Sequence, residues 1–517
     1  MVSVAQLVRA SVCEAEGRGF NSHRSPHLPW RRAALEAALF FVGALLLFRL
    51  QLGRWDGYHD FDGHFHFRVA EWIAHFGWWS DLPWLPFTVL RERGPDHQWL
   101  WHLTLVPYTW FGSSEQVLAW ATAANGALVP AVLCFVARML RVPAAPVFVI
   151  LAVTAGSLMP YRLLMLRSQN IAIIYMALAL WAMARGYYRT LLLLAFLFMQ
   201  SYHAGVILAP IALLGCAVHS FLQRRPVISP LVAVAGGLAL ALLISPWFPR
   251  NIEFLLFHTL YKTEFPLHGE QLSGLIGSEW YPAPLRVLLL DSWPAHLLLL
   301  AALVAVGLRW RREPAWRPSA ETLLAIGIAG LSLGLYWKAI RFAEYYVPFA
   351  AIAAGLAARD AWPAPRLNRA KLAALAVAAI VFASVGVAGL GRPAPLPRDY
   401  MEAIGAKLNE LGKPGEIVFN TSWNDFAALV WWADSFRYIN GLDGHFLAYG
   451  DPARFIVWLS VSLGYVDDPP AVIRAGFGAR FVVVAREHEV LARKLQASRS
   501  AVLLLAARDG WLFELRP

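Results

Sequence analysis

Charge is scarce in this chain, and cysteine scarcer. Only 15% of the 517 residues are Asp, Glu, Lys or Arg, 58% are hydrophobic, and mean hydropathy is +0.49. A soluble protein of this length cannot cover its surface with so few charges, which excludes that class. Three cysteines, Cys13, Cys134 and Cys216, with no Cys-x-x-Cys, exclude a disulfide framework. Acidic residues number 34 against 45 basic ones, a net charge of +11. In a membrane protein that excess gathers in cytoplasmic loops, so no nucleic-acid partner is expected. The first 29 residues have no apolar core, which excludes a secretory signal peptide. Val4-Ala5-Gln6-Leu7-Val8-Arg9-Ala10 and the run from Glu16 to Arg24 look like a translated transfer-RNA gene. Residues 1–29 are therefore expected to be a spurious or disordered leader, with the protein proper starting near Trp30.

What the chain has in abundance is apolar runs of helical length, and no internal repeat of them is evident. About eleven are expected to span a membrane. They cover 33–52, 116–140, 143–160, 166–184, 191–200, 204–221, 227–248, 294–308, 322–340, 345–358 and 372–390. Alternating sides puts short basic loops together: Arg138/Arg141, Arg185/Arg189, Arg224/Arg225, Arg309/Arg311/Arg312 and Arg359/Arg366/Arg369/Lys371. Basic loops mark the cytoplasm. The N-terminus is then cytoplasmic, and two long loops, 53–115 and 249–293, share the outer face with everything after residue 391. In that tail, 392–517, a helical stretch over 398–411 alternates with strand-like runs at 416–419, 481–484 and 511–515. The expected fold is a mainly α-helical polytopic membrane protein, residues 30–391, with a C-terminal extracytoplasmic α/β domain, in a bacterial inner membrane.

The densest chemistry follows the first apolar run. His59-Asp60-Phe61-Asp62-Gly63-His64-Phe65-His66-Phe67-Arg68 packs two carboxylates, three histidines and an arginine into ten residues. Ionisable groups at a membrane face carry a large solvation cost if they enter lipid, so such a cluster reads as a site. Extended through Val69-Ala70-Glu71-Trp72, it resembles the first-loop signature of oligosaccharyltransferase catalytic subunits, and the wider GT-C class of polytopic glycosyltransferases. The tail run Ser422-Trp423-Asn424-Asp425-Phe426 resembles a degraded form of the acceptor-recognising WWDYG motif of the same enzymes. It departs from that motif at Ser422, at the interposed Asn424 and at Phe426-Ala427, which puts asparagine-sequon recognition in doubt. The outer loop Tyr161-Arg162-Leu163-Leu164-Met165-Leu166-Arg167-Ser168-Gln169-Asn170 lacks the second acidic motif of that family.

The resemblance implies transfer of a sugar from a polyprenyl-phosphate or -diphosphate donor to a glycan, lipid or protein acceptor on the outer face, by direct displacement with inversion. Such a reaction needs a base for the acceptor proton and cations for the departing phosphate. Asp62 is the expected base, with Asp60 beside it. Arg341, Lys338, Arg162 and Arg167 are the expected phosphate ligands; guanidinium groups bind phosphate oxygens bidentately. An i,i+3 pair with Glu344 is the plain alternative for Arg341. Trp423, Asp425, Glu279 and His97 are expected at the acceptor. If the motif is helical, Asp60/His64 and Asp62/His66 are i,i+4 pairs able to chelate a cation. Asp62, His64 and His66 are thus candidate ligands for Mg2+ or Mn2+. Asp96-His97-Gln98-Trp99-Leu100-Trp101-His102 reads either as an acceptor groove or as an interfacial aromatic belt. Two other functions stay open: an oligosaccharyltransferase acting on protein, and a non-catalytic transporter or scaffold for glycan assembly.

Overall fold

Helices occupy the apolar runs expected to span, with the run 143–160 broken into Ala145–Thr154 and Leu158–Leu163. The computed structural model describes residues 28–58, 61–78, 81–91, 94–261, 277–361, 369–391 and 396–516. The leader up to residue 27, and Asp60 with His59, lie outside the described residues. Among those described, five helices are long and apolar enough to cross a membrane: Trp30–Arg54, Glu115–Met139, His203–Gln223, Trp293–Arg312 and Ala320–Lys338. Shorter apolar helices stand beside them, among them Ala145–Thr154, Gln169–Ala184, Tyr188–Ser201 and Ser229–Ile244. Hydroxyl side chains start two of the long ones: Ser114 accepts from the Val117 amide, and Ser319 from the Thr322 amide.

The helix Ala343–Ala361 is buried continuously from Ala343 to Ala357. Seven of those fifteen residues are Ala or Gly, and a thin helix lets its neighbours Ala145–Thr154, Trp293–Arg312 and Ala320–Lys338 approach closely. This is the centre of the bundle and it ends, on the side of Ala343, beside Arg341 and Glu344.

The long loop expected over 53–115 carries two helices. Asp62–Phe76 and Trp99–Thr109 are helices packed on each other. In the first of them Phe65, Val69 and Ile73 recur every fourth residue and join the core beneath the tail, while Phe67 and Ala70 pack with Trp101. Interspersed histidines and carboxylates hide this periodicity in the sequence.

The tail sheet has strands β3 (Ile417–Asn420), β4 (Arg437–Tyr438), β5 (Phe481–Ala485), β6 (Ala501–Ala506) and β7 (Gly510–Leu515), in the order β4-β3-β5-β7-β6. The strands β4, β3 and β5 are parallel; β7 runs antiparallel to both β5 and β6. All five residues of β5 are buried, as a central strand covered on both faces requires. Two short strands, β1 (Gly57–Tyr58) and β2 (Leu396–Pro397), pair antiparallel and tie the end of the first long helix to the start of the tail.

Arg68 completes that tie. Its Nη2 donates to the Trp431 carbonyl at 2.7 Å, its guanidinium lies 4.7 Å from the Trp431 ring centroid, and Nη1 pairs with Glu71 at 2.8 Å. Arg68→Ala is expected to cost about 2–3 kcal/mol at this junction. Faster proteolytic release of the tail than in wild type is the check.

Candidate active site

A cavity of about 840 Å3 lies between the bundle, the two outer-loop helices and the tail. Its tail wall follows from sheet topology. The chain leaves β3 toward β4 on one side, and β5 lies on the other, so the strand order reverses at β3. Open parallel sheets bind ligands outside the carboxyl ends of their strands at such a point. Ser422, Trp423, Asn424 and Asp425 follow β3, Leu442 and Asp443 follow β4, and Glu487 follows β5; all seven line the cavity.

The opposite wall is ionic. Glu279 accepts from Nη1 of Arg162, from Nη1 of Arg167 at 3.0 Å and from Nη1 of Arg341 at 3.1 Å. Arg167 also pairs with Asp62 at 2.8 Å, Arg162 Nε with Glu344 at 3.0 Å, and Arg341 donates to the Tyr202 hydroxyl at 3.2 Å. Burial alone would raise Glu279, but the three guanidinium groups hold its carboxyl well below the usual range. Arg162 Nη2 is buried with no hydrogen-bond partner among the described residues. The indole of Trp280 lies under Arg341, 4.1 Å from guanidinium carbon to ring centroid.

Most of the residues singled out in the sequence therefore meet. Asp62, Arg162, Arg167, Glu279, Arg341, His66, His97, Trp423 and Asp425 line one cavity. Lys338 does not line it, and Asp60 lies outside the described residues. The pairing of Arg341 with Glu344 that its spacing suggested is replaced: Glu344 serves Arg162. Glu279 stands among the arginines rather than against the tail. The run at Asp96 lines the cavity through Asp96, His97, Gln98 and His102.

The cation site drawn from Asp62, His64 and His66 is not assembled. Asp62 faces Arg167, His66 Nδ1 lies 2.9 Å from His102 Nε2, and His64 turns into a separate cavity of about 260 Å3, 3.2 Å from Glu115. The reason is helical phase: Asp62 and His66 share a face, and His64 stands half a turn away. Among the described residues no three His, Cys, Asp or Glu side chains are grouped to hold a metal ion. The carboxylates nearest the arginines are already engaged by them, so these residues do not fit a divalent cation, and no step below runs through one.

At the tail wall, Asp425 is 3% exposed. Its Oδ1 accepts from the Tyr400 hydroxyl at 2.6 Å, while Oδ2 has no hydrogen-bond partner among the described residues. Burial, which the Tyr400 bond only partly offsets, and the nearby Glu487 and Asp509 push its carboxyl up to about 7. Tyr400 and Tyr202 were missed in the sequence, although Arg398 and Asp399 precede the first and His203 follows the second.

An apolar helical bundle, two helices between its first spans and a terminal α/β domain thus make up one fold around an arginine-lined cavity. Solved structures of that fold match most of the chain. The oligosaccharyltransferase of Archaeoglobus fulgidus in its apo form is similar at TM-score 0.61 and 14% identity, over 90% of this chain and 70% of that one. The same archaeal enzyme, AglB, in complex with an inhibitory peptide and a dolichol-phosphate, is similar at TM-score 0.58 and 14% identity, over 89% and 70%. Its complex with Zn and sulfate gives TM-score 0.57 and 13% identity, over 88% and 68%. At such identities the likeness is one of fold. No protein-family model and no curated protein matches the sequence.

Proposed function

We propose that this protein is a membrane glycosyltransferase that moves a sugar from a polyprenyl-phosphate or -diphosphate donor to an acceptor on the outer face of a bacterial inner membrane. The observation that carries this reading is the convergence of Arg162, Arg167 and Arg341 on one carboxylate, in the cavity that Asp62 and the tail's strand ends also line. Three preorganised guanidinium groups are suited to the charge that grows on a departing phosphate. The archaeal enzyme of similar fold has been seen with a dolichol-phosphate, which supports a lipid-linked donor here.

In this reading the donor phosphate competes with Glu279 for the arginines, and the acceptor enters from the tail side past Trp423, Asp425 and His97. Asp62, on the first turn of its helix and 39% exposed in its side chain, orients the acceptor between the two walls. The acid pair that the motif suggested acts here through Asp62.

A glycan profile of cells lacking the gene tests the reading. Wild type should restore the missing glycan, and well-expressed Asp62→Asn should restore about 100-fold less per unit protein, the loss that misplacing a reactant brings. Full restoration by the variant would move the weight to a scaffold or transporter.

A further inference from the structure

The two walls of the cavity balance their charges differently. On the bundle side every guanidinium meets a carboxylate: Arg162 and Arg341 meet Glu279, and Arg167 meets Asp62. On the tail side Asp425 and Glu487 both line the cavity. They follow β3 and β5, which are paired and parallel, so their loops leave the sheet side by side.

The ordinary structural work of an aspartate at Asp425 is not being done. It immediately precedes the helix Phe426–Trp432, where an aspartate commonly caps the first amides, yet its side chain makes no capping bond. Oδ1 is taken by the Tyr400 hydroxyl, and Oδ2 has no hydrogen-bond partner among the described residues, in a side chain 3% exposed. The charged groups that act on Asp425 are Glu487 and Asp509, both acidic. Asp509 has its own partners, Arg508 at 3.0 Å and the Met401 amide at 3.0 Å. Glu487 is exposed, and the imidazole beside it, His488, is pushed below its usual value by burial and is neutral. No side-chain cation among the described residues therefore answers this pair of carboxyl groups. A buried carboxylate without a cation is costly, and a ligand that brings the cation removes the cost on binding.

We propose that the acceptor carries a protonated amine, which Asp425 and Glu487 bind at the tail wall. The inference rests on the glycosyl-transfer reading and names the class of its acceptor. An ammonium group donates to the free Oδ2 of Asp425 and neutralises the pair, while the departing phosphate stays with the arginines across the cavity. Trp423 supplies an indole in the same wall, and indole rings attract cations as well. The amine is a handle for recognition and forms no covalent bond. An amino sugar offers both parts, a hydroxyl to receive the new sugar and an amine to be held.

Thermal unfolding of the full chain in detergent, at neutral pH and constant ionic strength, tests this with glucosamine, N-acetylglucosamine and magnesium chloride. Glucosamine should raise the wild-type midpoint, and N-acetylglucosamine, which lacks the charge, should not. Asp425→Asn should need about 10- to 100-fold more glucosamine for the same rise, the loss that follows removal of a hydrogen bond between charged groups. Glu487→Gln, at an exposed position, should need about 2- to 5-fold more. Inorganic pyrophosphate should stabilise both variants as it does wild type, which shows that they are folded. Equal responses of wild type to the two sugars, or an unchanged response of Asp425→Asn to glucosamine, would overturn the proposal. Stabilisation of wild type by magnesium that Asp425→Asn loses would give the pair to a metal ion and overturn it too. The glycan missing from the deletion cells should carry a free amine on the residue that receives the new sugar; a receiving residue without one would also count against it. If wild type restores no glycan in those cells, the glycosyl-transfer reading falls, and the glucosamine responses alone decide whether this wall binds an amine.

Discussion

Glu279→Ala should destabilise the ligand-free protein by about 3–5 kcal/mol, the cost of breaking a buried ion pair from one side. Arg162, Arg167 and Arg341 face Glu279, Glu344 and Asp62, three charges against three. Removing Glu279 leaves one guanidinium charge uncompensated. The same substitution should make the cavity a better anion site. Inorganic pyrophosphate should raise the unfolding midpoint of Glu279→Ala by more than it raises that of wild type, because no internal carboxylate must be displaced. The sign with pH is fixed as well. A carboxyl held below its unfolded value stabilises above that value and loses its contribution as acid protonates it in the folded state, so the deficit of the alanine variant should shrink in acid. Thermal unfolding with and without pyrophosphate, at neutral and acid pH, reads all three outcomes. An equal response of both proteins to pyrophosphate would remove the arginines as the phosphate site.

Asp425→Asn should stabilise the tail at alkaline pH and leave it unchanged in acid. The folded carboxyl titrates at about 7 and the unfolded one near 3.8, so the folded state binds the proton more tightly. Stability from this group is then complete below the unfolded value and is lost as pH rises through 7. The difference amounts to at most about 4 kcal/mol at pH 8 and above. Asparagine keeps an oxygen for the Tyr400 hydroxyl and has no charge to bury. The unfolding midpoints of variant and wild type should coincide near pH 4, draw apart as pH rises toward 7, and keep a constant separation above it. Parallel curves across the whole range would show that Asp425 is ionised in the folded protein.

The bundle was legible because apolar runs of helical length report lipid and core alike, although 143–160 holds two short helices in place of one. The tail strands at 416–419, 481–484 and 511–515 were legible for the same kind of reason: β-branched and aromatic runs between turns. The outer-loop helices were not. Asp62–Phe76 buries Phe65, Val69 and Ile73, but its histidines and Arg68 break the apolar pattern that would have announced it. For the site, residue type was informative and partnership was not. The need for cations at a departing phosphate pointed to Arg162, Arg167 and Arg341, yet their shared carboxylate, Glu279, lies 112 residues from Arg167. His66 looked like a metal ligand because spacing within one helix was the only geometry on view; His102, 36 residues on, gives it a different partner. Arg68 looked like part of the same charged cluster and serves instead to hold the tail.

The pairing of β1 with β2, and of Arg68 with Trp431 across 363 residues, also sets the order in which the machine can come into being. During synthesis Asp62 and the bundle arginines emerge early and the strand ends that roof them emerge last. A chain interrupted between Arg341 and β3 has the ionic wall of the cavity and none of the strand ends opposite it. The cavity is thus closed only once the final stretch of chain has folded back onto the first.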